Sequence, residues 1–286
     1  MKNVLLPTDF SENSWNAIKY ALRFFRNEIC NFYVLHINKL GHLAANDTSI
    51  VIDQNYIEEI YTKPAKKQLR NILKRISKES PNQKNHKFYT LTDYNFFIES
   101  IRKIVNEKRI DIIVMGTKGA SGFGRIILGT NTSDVITKVK CNTLAIPENA
   151  EFILPKEIAF PTDFSLSHNL QVLQPIIEII EQFRSSLRIL HINKKKVDLD
   201  NEQEKNKELI EEYFNNQPYS FHYLTNRRVE DAVQCFVESR DINIICMVAK
   251  NLNYFQQILF HSRVEKISYH TEVPFLVLHE KNEYYG

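Results

Sequence analysis

The chain reads as an α/β protein of two tandem, doubly wound domains, each with a five-stranded parallel sheet. Three observations predict this. First, the opening Val4-Leu5-Leu6-Pro7-Thr8-Asp9-Phe10-Ser11 returns as Ile158-Ala159-Phe160-Pro161-Thr162-Asp163-Phe164-Ser165, and Val34-Leu35-His36-Ile37-Asn38 returns as Ile189-Leu190-His191-Ile192-Asn193. Second, residues 112–115 return as 244–247, and 141–146 as 273–278, in the same order. Third, short apolar runs alternate with segments of helical periodicity, the pattern of a parallel sheet covered by helices on both faces. The predicted domains are 1–150 and 151–286, joined by a connector near Pro147 to Lys156. At 286 residues each half is long enough to bury its own core.

In the first half a strand over 3–6 leads into a helix over 12–25. Ser11 suits the N-cap, and Trp15, Ile18, Leu22 and Phe25 share one helical face. A strand over 31–37 follows, then a long connection. Its helix, roughly 57–77, brings Leu69, Ile72, Leu73 and Ile76 together, with Pro64 expected to kink or break it. A strand over 87–91, a helix over 95–108, a strand over 110–115, a helix over 132–140 and a strand over 143–146 complete the unit. The second half follows the same path with a shorter connection after its second strand, and Pro175 is expected to kink its first helix. Crossovers should be right-handed, with ligands beyond the carboxyl ends of the strands where strand order reverses.

Composition excludes several classes of function. The chain is 43% hydrophobic and 25% charged, with a net charge of +3, and no basic block interleaves with aromatics, so no nucleic-acid partner is expected. Lys194, Lys195 and Lys196 are followed by an acidic stretch over 198–212 and read as a solvated surface. No apolar run reaches the ~18 residues of a membrane span. The first strand begins almost at Met1, leaving no room for a secretory leader, so a cytoplasmic location is expected. Cys30, Cys141, Cys235 and Cys246 lie in apolar patterns without CxxC spacing and are expected to be buried free thiols, with no zinc site.

The chemistry concentrates around residues 115–132: Met115-Gly116-Thr117-Lys118-Gly119, then Gly129-Thr130-Asn131-Thr132, between an apolar run and a helical pattern. Glycines at a strand end and a helix start let backbone N–H groups approach a phosphate, and the hydroxyls of Thr130 and Thr132 add to such a cradle. The competing reading is that these are turn and packing glycines. Asp9, just past the first strand, could accept from ribose hydroxyls or equally serve as a turn residue beside Ser11, and the recurrence of Asp163 does not separate the two. Lys118 and Arg125 are placed to reach phosphate oxygens or to be solvated. No GxxxxGK[ST] is present, and Gly119-Ala120-Ser121-Gly122-Phe123-Gly124 has the wrong spacing for GxGxxG, so it reads as a flap over phosphates or a plain surface loop. His36 and His191 recur together, which favours a packing or hydrogen-bonding role. No nucleophile–base pair, paired carboxylates or metal-ligand spacing is readable, so no catalytic residue is assigned.

These residues resemble the universal stress protein family. Gly116, Gly119, Gly129 and Thr130 match its Gly-x2-Gly-x9-Gly-Ser/Thr pattern, and Leu6-Pro7-Thr8-Asp9-Phe10-Ser11 and Leu35-His36-Ile37 are similar to it as well. The resemblance spans both halves. It implies an adenine nucleotide alpha hydrolase-like fold with strand order 3-2-1-4-5. It also implies that Pro7, Thr8, Asp9 and Ile37 surround adenine and ribose. Met115, Gly116 and Gly119 would line the crevice, while Gly129, Thr130, Asn131 and Thr132 hold phosphates; Arg125 is added to that site on its own chemistry. It further implies pairing of domains through their last strands, here within one chain, with a homodimer left open.

Aligned on this pattern, the halves differ. Met115 and Met247 are 132 positions apart, as are Cys141 and Val273, so Gly116 becomes Val248, Gly119 becomes Asn251, Gly129 becomes His261 and Thr130 becomes Ser262. Pro161, Asp163 and Ile192 keep the adenosine end. The expectation is therefore a stress-response protein that binds ATP, with or without Mg2+, in its first domain and no nucleotide in its second, with at most weak hydrolysis. A nucleotide-independent scaffold is the alternative. An adenylating enzyme is disfavoured because Pro7-Thr8-Asp9-Phe10-Ser11 is not a Ser-Gly-Gly-x-Asp loop.

Overall fold

The structure, a computed structural model, describes residues 1–38, 62–81, 83–117, 129–165, 169–193, 198–226, 228–249 and 272–280, the side chain of residue 230 excepted. Its first half runs β1 (Lys2–Pro7), α1 (Glu12–Phe24), β2 (Cys30–Asn38), α2 (Lys63–Glu79), β3 (His86–Tyr94), α3 (Phe97–Glu107), β4 (Ile112–Gly116), α4 (Thr130–Lys138) and β5 (Asn142–Ile146). The second runs β6 (Glu157–Pro161), a 3₁₀ turn (Leu170–Leu173) leading directly into α5 (Gln174–Phe183), β7 (Ser186–Asn193), α6 (Asn201–Tyr213), β8 (Tyr219–Thr225), α7 (Val229–Ser239), β9 (Ile244–Val248) and β10 (Phe275–Leu278).

The ten strands of the described residues form one sheet in the order β3-β2-β1-β4-β5-β10-β9-β6-β7-β8. Each half thus has the order 3-2-1-4-5, and the halves meet through their last strands. Within each half the pairing is parallel, as crossover helices require. At the join β10 runs antiparallel to β5, with Leu276 opposite Leu144. The carboxyl ends of the two sets of strands therefore point to opposite ends of the sheet, so the two crevices open away from each other.

Alternating burial builds two layers. On one face a single cluster spans both halves, uniting Val4, Leu6, Val34 and Val114 with Phe160, Ile189 and Leu276 beneath α1, α2 and α5. Aromatic contacts lace this face across the halves: Phe24 and Phe183 lie 5.2 Å apart, and Tyr20 meets Phe152 of the connector at 5.2 Å. Asn16 of α1 holds the same connector, donating to the carbonyls of Glu148 (3.2 Å) and Ala150 (2.9 Å). On the other face there are two clusters: Leu5, Leu35, Ile113 and Met115 lie under α3 and α4 of the first half, while the cluster of the second half also takes in Ile136 and Ala145 of the first, across the β5–β10 join.

Several sequence expectations need correction. Pro64 lies in the first turn of the described helix α2, and the earlier part of the helix expected from residue 57 lies outside the described residues. Pro175 opens α5 rather than interrupting it, directly after the 3₁₀ turn Leu170–Leu173. The helix expected over 132–140 begins at Thr130 and ends at Lys138. Of the four cysteines, Cys235 is exposed, on the outer side of α7, while the other three are buried. Lys194 to Lys196 lie outside the described residues. Among the described residues, no helix is long and apolar enough to cross a membrane.

Candidate functional site

The candidate site is assembled where β1, β2 and β4 end and α4 begins. At the end of β1 a compact turn is locked by its own side chains. The Thr8 N–H donates to the Leu35 carbonyl (2.8 Å), and the Phe10 N–H donates to Thr8 Oγ1 (3.0 Å). Thr8 Oγ1 also pairs with Ser14 Oγ at 2.9 Å, and because Ser14 Oγ gives its own proton to the Ser11 carbonyl (2.9 Å), Thr8 is the donor. Asp9 Oδ1 accepts from the Ser11 N–H at 3.0 Å and from the Ser11 hydroxyl. Ser11 in turn caps α1, accepting from the Ser14 N–H at 3.2 Å. Phe10 sits in the left-handed region (φ 66°), which is rare for a bulky residue, and its ring lies 4.2 Å from that of His36. The His36 Nδ1–H donates to the Thr8 carbonyl at 2.8 Å.

The second half reproduces this turn. Phe164 has φ 59° and stacks on His191 at 4.8 Å; the Ser165 N–H donates to Asp163 Oδ1 at 3.0 Å, and His191 Nδ1–H donates to the Thr162 carbonyl at 3.0 Å. The recurring histidines are thus structural: each ties the end of the second strand to the turn after the first. Thr8 is buried with its hydroxyl proton committed, so it shapes the turn rather than offering a donor to a ligand.

At the other side of the crevice, α4 is tied directly to the end of β4. The Thr132 hydroxyl, buried, donates to the Gly116 carbonyl at 2.8 Å, the Gly129 N–H donates to the Thr117 carbonyl, and the Thr117 N–H donates to Ile146 O at 2.9 Å. Gly129 is the N-cap, with φ −55° and no side chain to bond the N–H groups that open the helix. Those groups, with the exposed side chain of Thr130 and the half-buried Asn131, face the end of the sheet where β1 and β4 diverge to opposite neighbours. This is a switch point of the kind at which α/β sheets bind ligands. Met115 and Ile37 belong to the same apolar cluster on one face of the sheet and supply its nonpolar wall.

Gly116 has a reason the sequence did not disclose. It does not adopt a left-handed φ, but a Cβ there would come within 2.5 Å of Asn13 Nδ2, 2.8 Å of Cγ and 2.9 Å of Oδ1. The buried amide of Asn13, from α1, fills the space a side chain would need. Asn13 went unnoticed in the sequence; its only trace there was that its aligned position, 154 residues on as Ser11 is from Ser165, holds the smaller Ser167 where Gly116 is replaced by Val248. Of the remaining candidates, Lys118, Gly119 and Arg125, the glycine-rich run to Gly124, and Asn251, His261 and Ser262 lie outside the described residues. Val248 ends β9 as Gly116 ends β4, and is buried. Among the described residues, no group of three His, Cys, Asp or Glu side chains could hold a metal ion.

Comparison with known proteins places this architecture. The sequence profile of the universal stress protein family matches residues 1–147. Universal stress protein MJ0577 of Methanocaldococcus jannaschii is 28% identical over 149 residues, covering 48% of this chain and 89% of that protein. Universal stress protein MJ0531 of the same organism is 27% identical over 148 residues, covering 51% of this chain and 81% of that one. Both matches are about half the length of this chain. A solved universal stress protein from Archaeoglobus fulgidus is similar over 98% of this chain and 97% of its own, with a TM-score of 0.70 at 18% identity, a likeness of fold. The tandem αβ fold, the matched profile and the two relatives agree, and the chain belongs to the universal stress protein family.

Proposed function

We propose that the first half binds an adenine nucleotide, ATP with or without Mg2+, as a regulatory ligand in a cytoplasmic stress response, with little or no turnover. The observation that carries this is the glycine-capped start of α4, braced against the end of β4 and facing the point where strand order reverses. The N–H groups there present partial positive charge without a side chain in the way, which suits a phosphate. Ile37 and Met115 would flank the base and Asp9 would face the ribose. Thr130 offers its hydroxyl to phosphate; Thr132, whose hydroxyl proton is held by Gly116 O, offers only its N–H. The domain ending near residue 150 would carry the nucleotide site. The domain from 151 would serve as scaffold and pairing partner without nucleotide, since Val248 stands where the first has Gly116.

A second reading is supported by equally specific contacts. Asp9 is engaged by Ser11, Thr8 by Ser14, and Gly116 accommodates Asn13, so each has a structural reason to be present without a ligand. Under that reading the protein is a nucleotide-independent interaction module. A thermal-unfolding titration with Mg-ATP separates them. Ligand at one hundred times its dissociation constant stabilises by ~2.7 kcal/mol, or about 4 °C if all 286 residues unfold together. No shift at millimolar Mg-ATP would reject the nucleotide reading; a shift with release of pyrophosphate would point to an adenylating enzyme instead.

A further inference from the structure

Of the buried polar atoms in the first half that make no hydrogen bond, one lies at the carboxyl end of the sheet beside the candidate crevice. Asp93 of β3 stands opposite Ile37 of β2 in parallel register. Leu91, two residues earlier on β3, packs in the cluster that contains Leu35, Ile37 and Met115. The period of two along a strand therefore puts the Asp93 side chain on that same face, beside Ile37 at the carboxyl end of the sheet. Its Oδ1 accepts from the Tyr94 N–H at 2.9 Å. Its Oδ2 is buried and has no hydrogen-bond partner.

The second half shows that the fold does not need a carboxylate there. The residue opposite Ile192 is Leu224, which packs against the apolar cluster of that half. An acceptor buried without a donor is a standing cost that an apolar residue would avoid. The cost is borne only in the half that also keeps the glycine-capped α4.

We propose that Asp93 reads the base: its unpartnered oxygen accepts a hydrogen bond from the exocyclic amino group of a 6-aminopurine seated against Ile37. This rests on the nucleotide reading of the crevice and adds its selectivity. A 6-aminopurine offers N–H donors at that edge. A 6-oxopurine offers an oxygen, and two acceptors would face each other with no proton between them. The site would therefore take adenosine nucleotides and reject inosine nucleotides.

The test is calorimetric binding of Mg-ATP and Mg-ITP to the full chain, to Asp93→Leu and to Asp93→Asn. The wild type should prefer ATP by about tenfold, the cost of one unpaired charged hydrogen-bonding group. Asp93→Leu should bring the two ligands within about threefold by weakening ATP. Asp93→Asn, whose amide can donate to O6, should gain affinity for ITP. Unfolding of ligand-free Asp93→Leu should occur at or above the wild-type temperature, because the second half already carries leucine at this position. If ATP binds but its preference over ITP survives Asp93→Leu, the inference is overturned while the nucleotide site stands. If Asp93→Leu unfolds more easily and keeps the preference, Asp93 is structural and the inference is likewise overturned. If the wild type binds neither ligand, the nucleotide reading fails and takes the inference with it.

Discussion

Replacing Gly116 by valine, the residue at the same place in the second half, tests why the glycine is there. The structure places a new Cβ 2.5 Å from Asn13 Nδ2 and under 3 Å from two further atoms of that amide, well inside ordinary contact. Asn13 is only 7% exposed, so its side chain has little room to swing away. Since the φ of Gly116 is not left-handed, the penalty is steric, and overpacking of this kind costs about 1–3 kcal/mol. Asn13→Ser removes Nδ2 and Oδ1, leaves a lone Oγ that can turn away in place of Cγ, and reproduces the residue aligned with it, Ser167. The double variant Asn13→Ser/Gly116→Val should therefore recover at least about 1 kcal/mol relative to the sum of the single variants. The assay is a double-mutant cycle by urea unfolding of the four proteins, with Mg-ATP binding measured on each. Additive effects would refute the argument that Asn13 dictates the glycine. A double variant that is stable yet does not bind would show that the crevice needs the open space as well.

Two further outcomes follow from buried polar groups. Ser100 of α3 is fully buried with no partner for its Oγ, and its aligned residue is Ala232, so Ser100→Ala should hold or raise stability by up to about 1 kcal/mol in urea unfolding. His279, just after β10, is held down to about 4, chiefly by burial and further by Lys140, against the opposing pull of the Ile136 carbonyl. The unfolded chain takes up this proton near pH 6.5 and the native state only near 4. Stability is thus full above pH 6.5 and falls as pH drops toward 4, by about 3 kcal/mol from this group. His279→Leu should flatten that acid limb in urea unfolding measured from pH 7 to pH 4.5; an unchanged slope would refute it.

Strand order and the β5–β10 join were legible once the family resemblance was drawn, and the elements themselves came from periodicity. Their ends were less so: α4 starts two residues before the apolar pattern does, because Gly129 and Thr130 carry no periodic signal. Pro175 differs for a related reason: sequence shows that a proline interrupts a pattern, but only the path of the preceding chain tells whether a helix bends there or begins there.

The sequence by itself determined the repeat, the alternation of strands and helices, and the turn of Thr8, Asp9, Phe10 and Ser11, since all of these depend on neighbours close along the chain. Tertiary structure alone decided which groups the site has to offer. The Thr132 proton goes to Gly116 O, the space at Gly116 goes to Asn13, and Asp93 Oδ2 is left beside Ile37 without a donor. It also set the two crevices at opposite ends of one sheet, through the antiparallel meeting of β5 and β10. The physical reason is common to all four. Periodicity and turn chemistry are local, whereas the commitment of a hydroxyl or the exclusion of a Cβ is settled by atoms that come from distant segments and meet only in the folded chain.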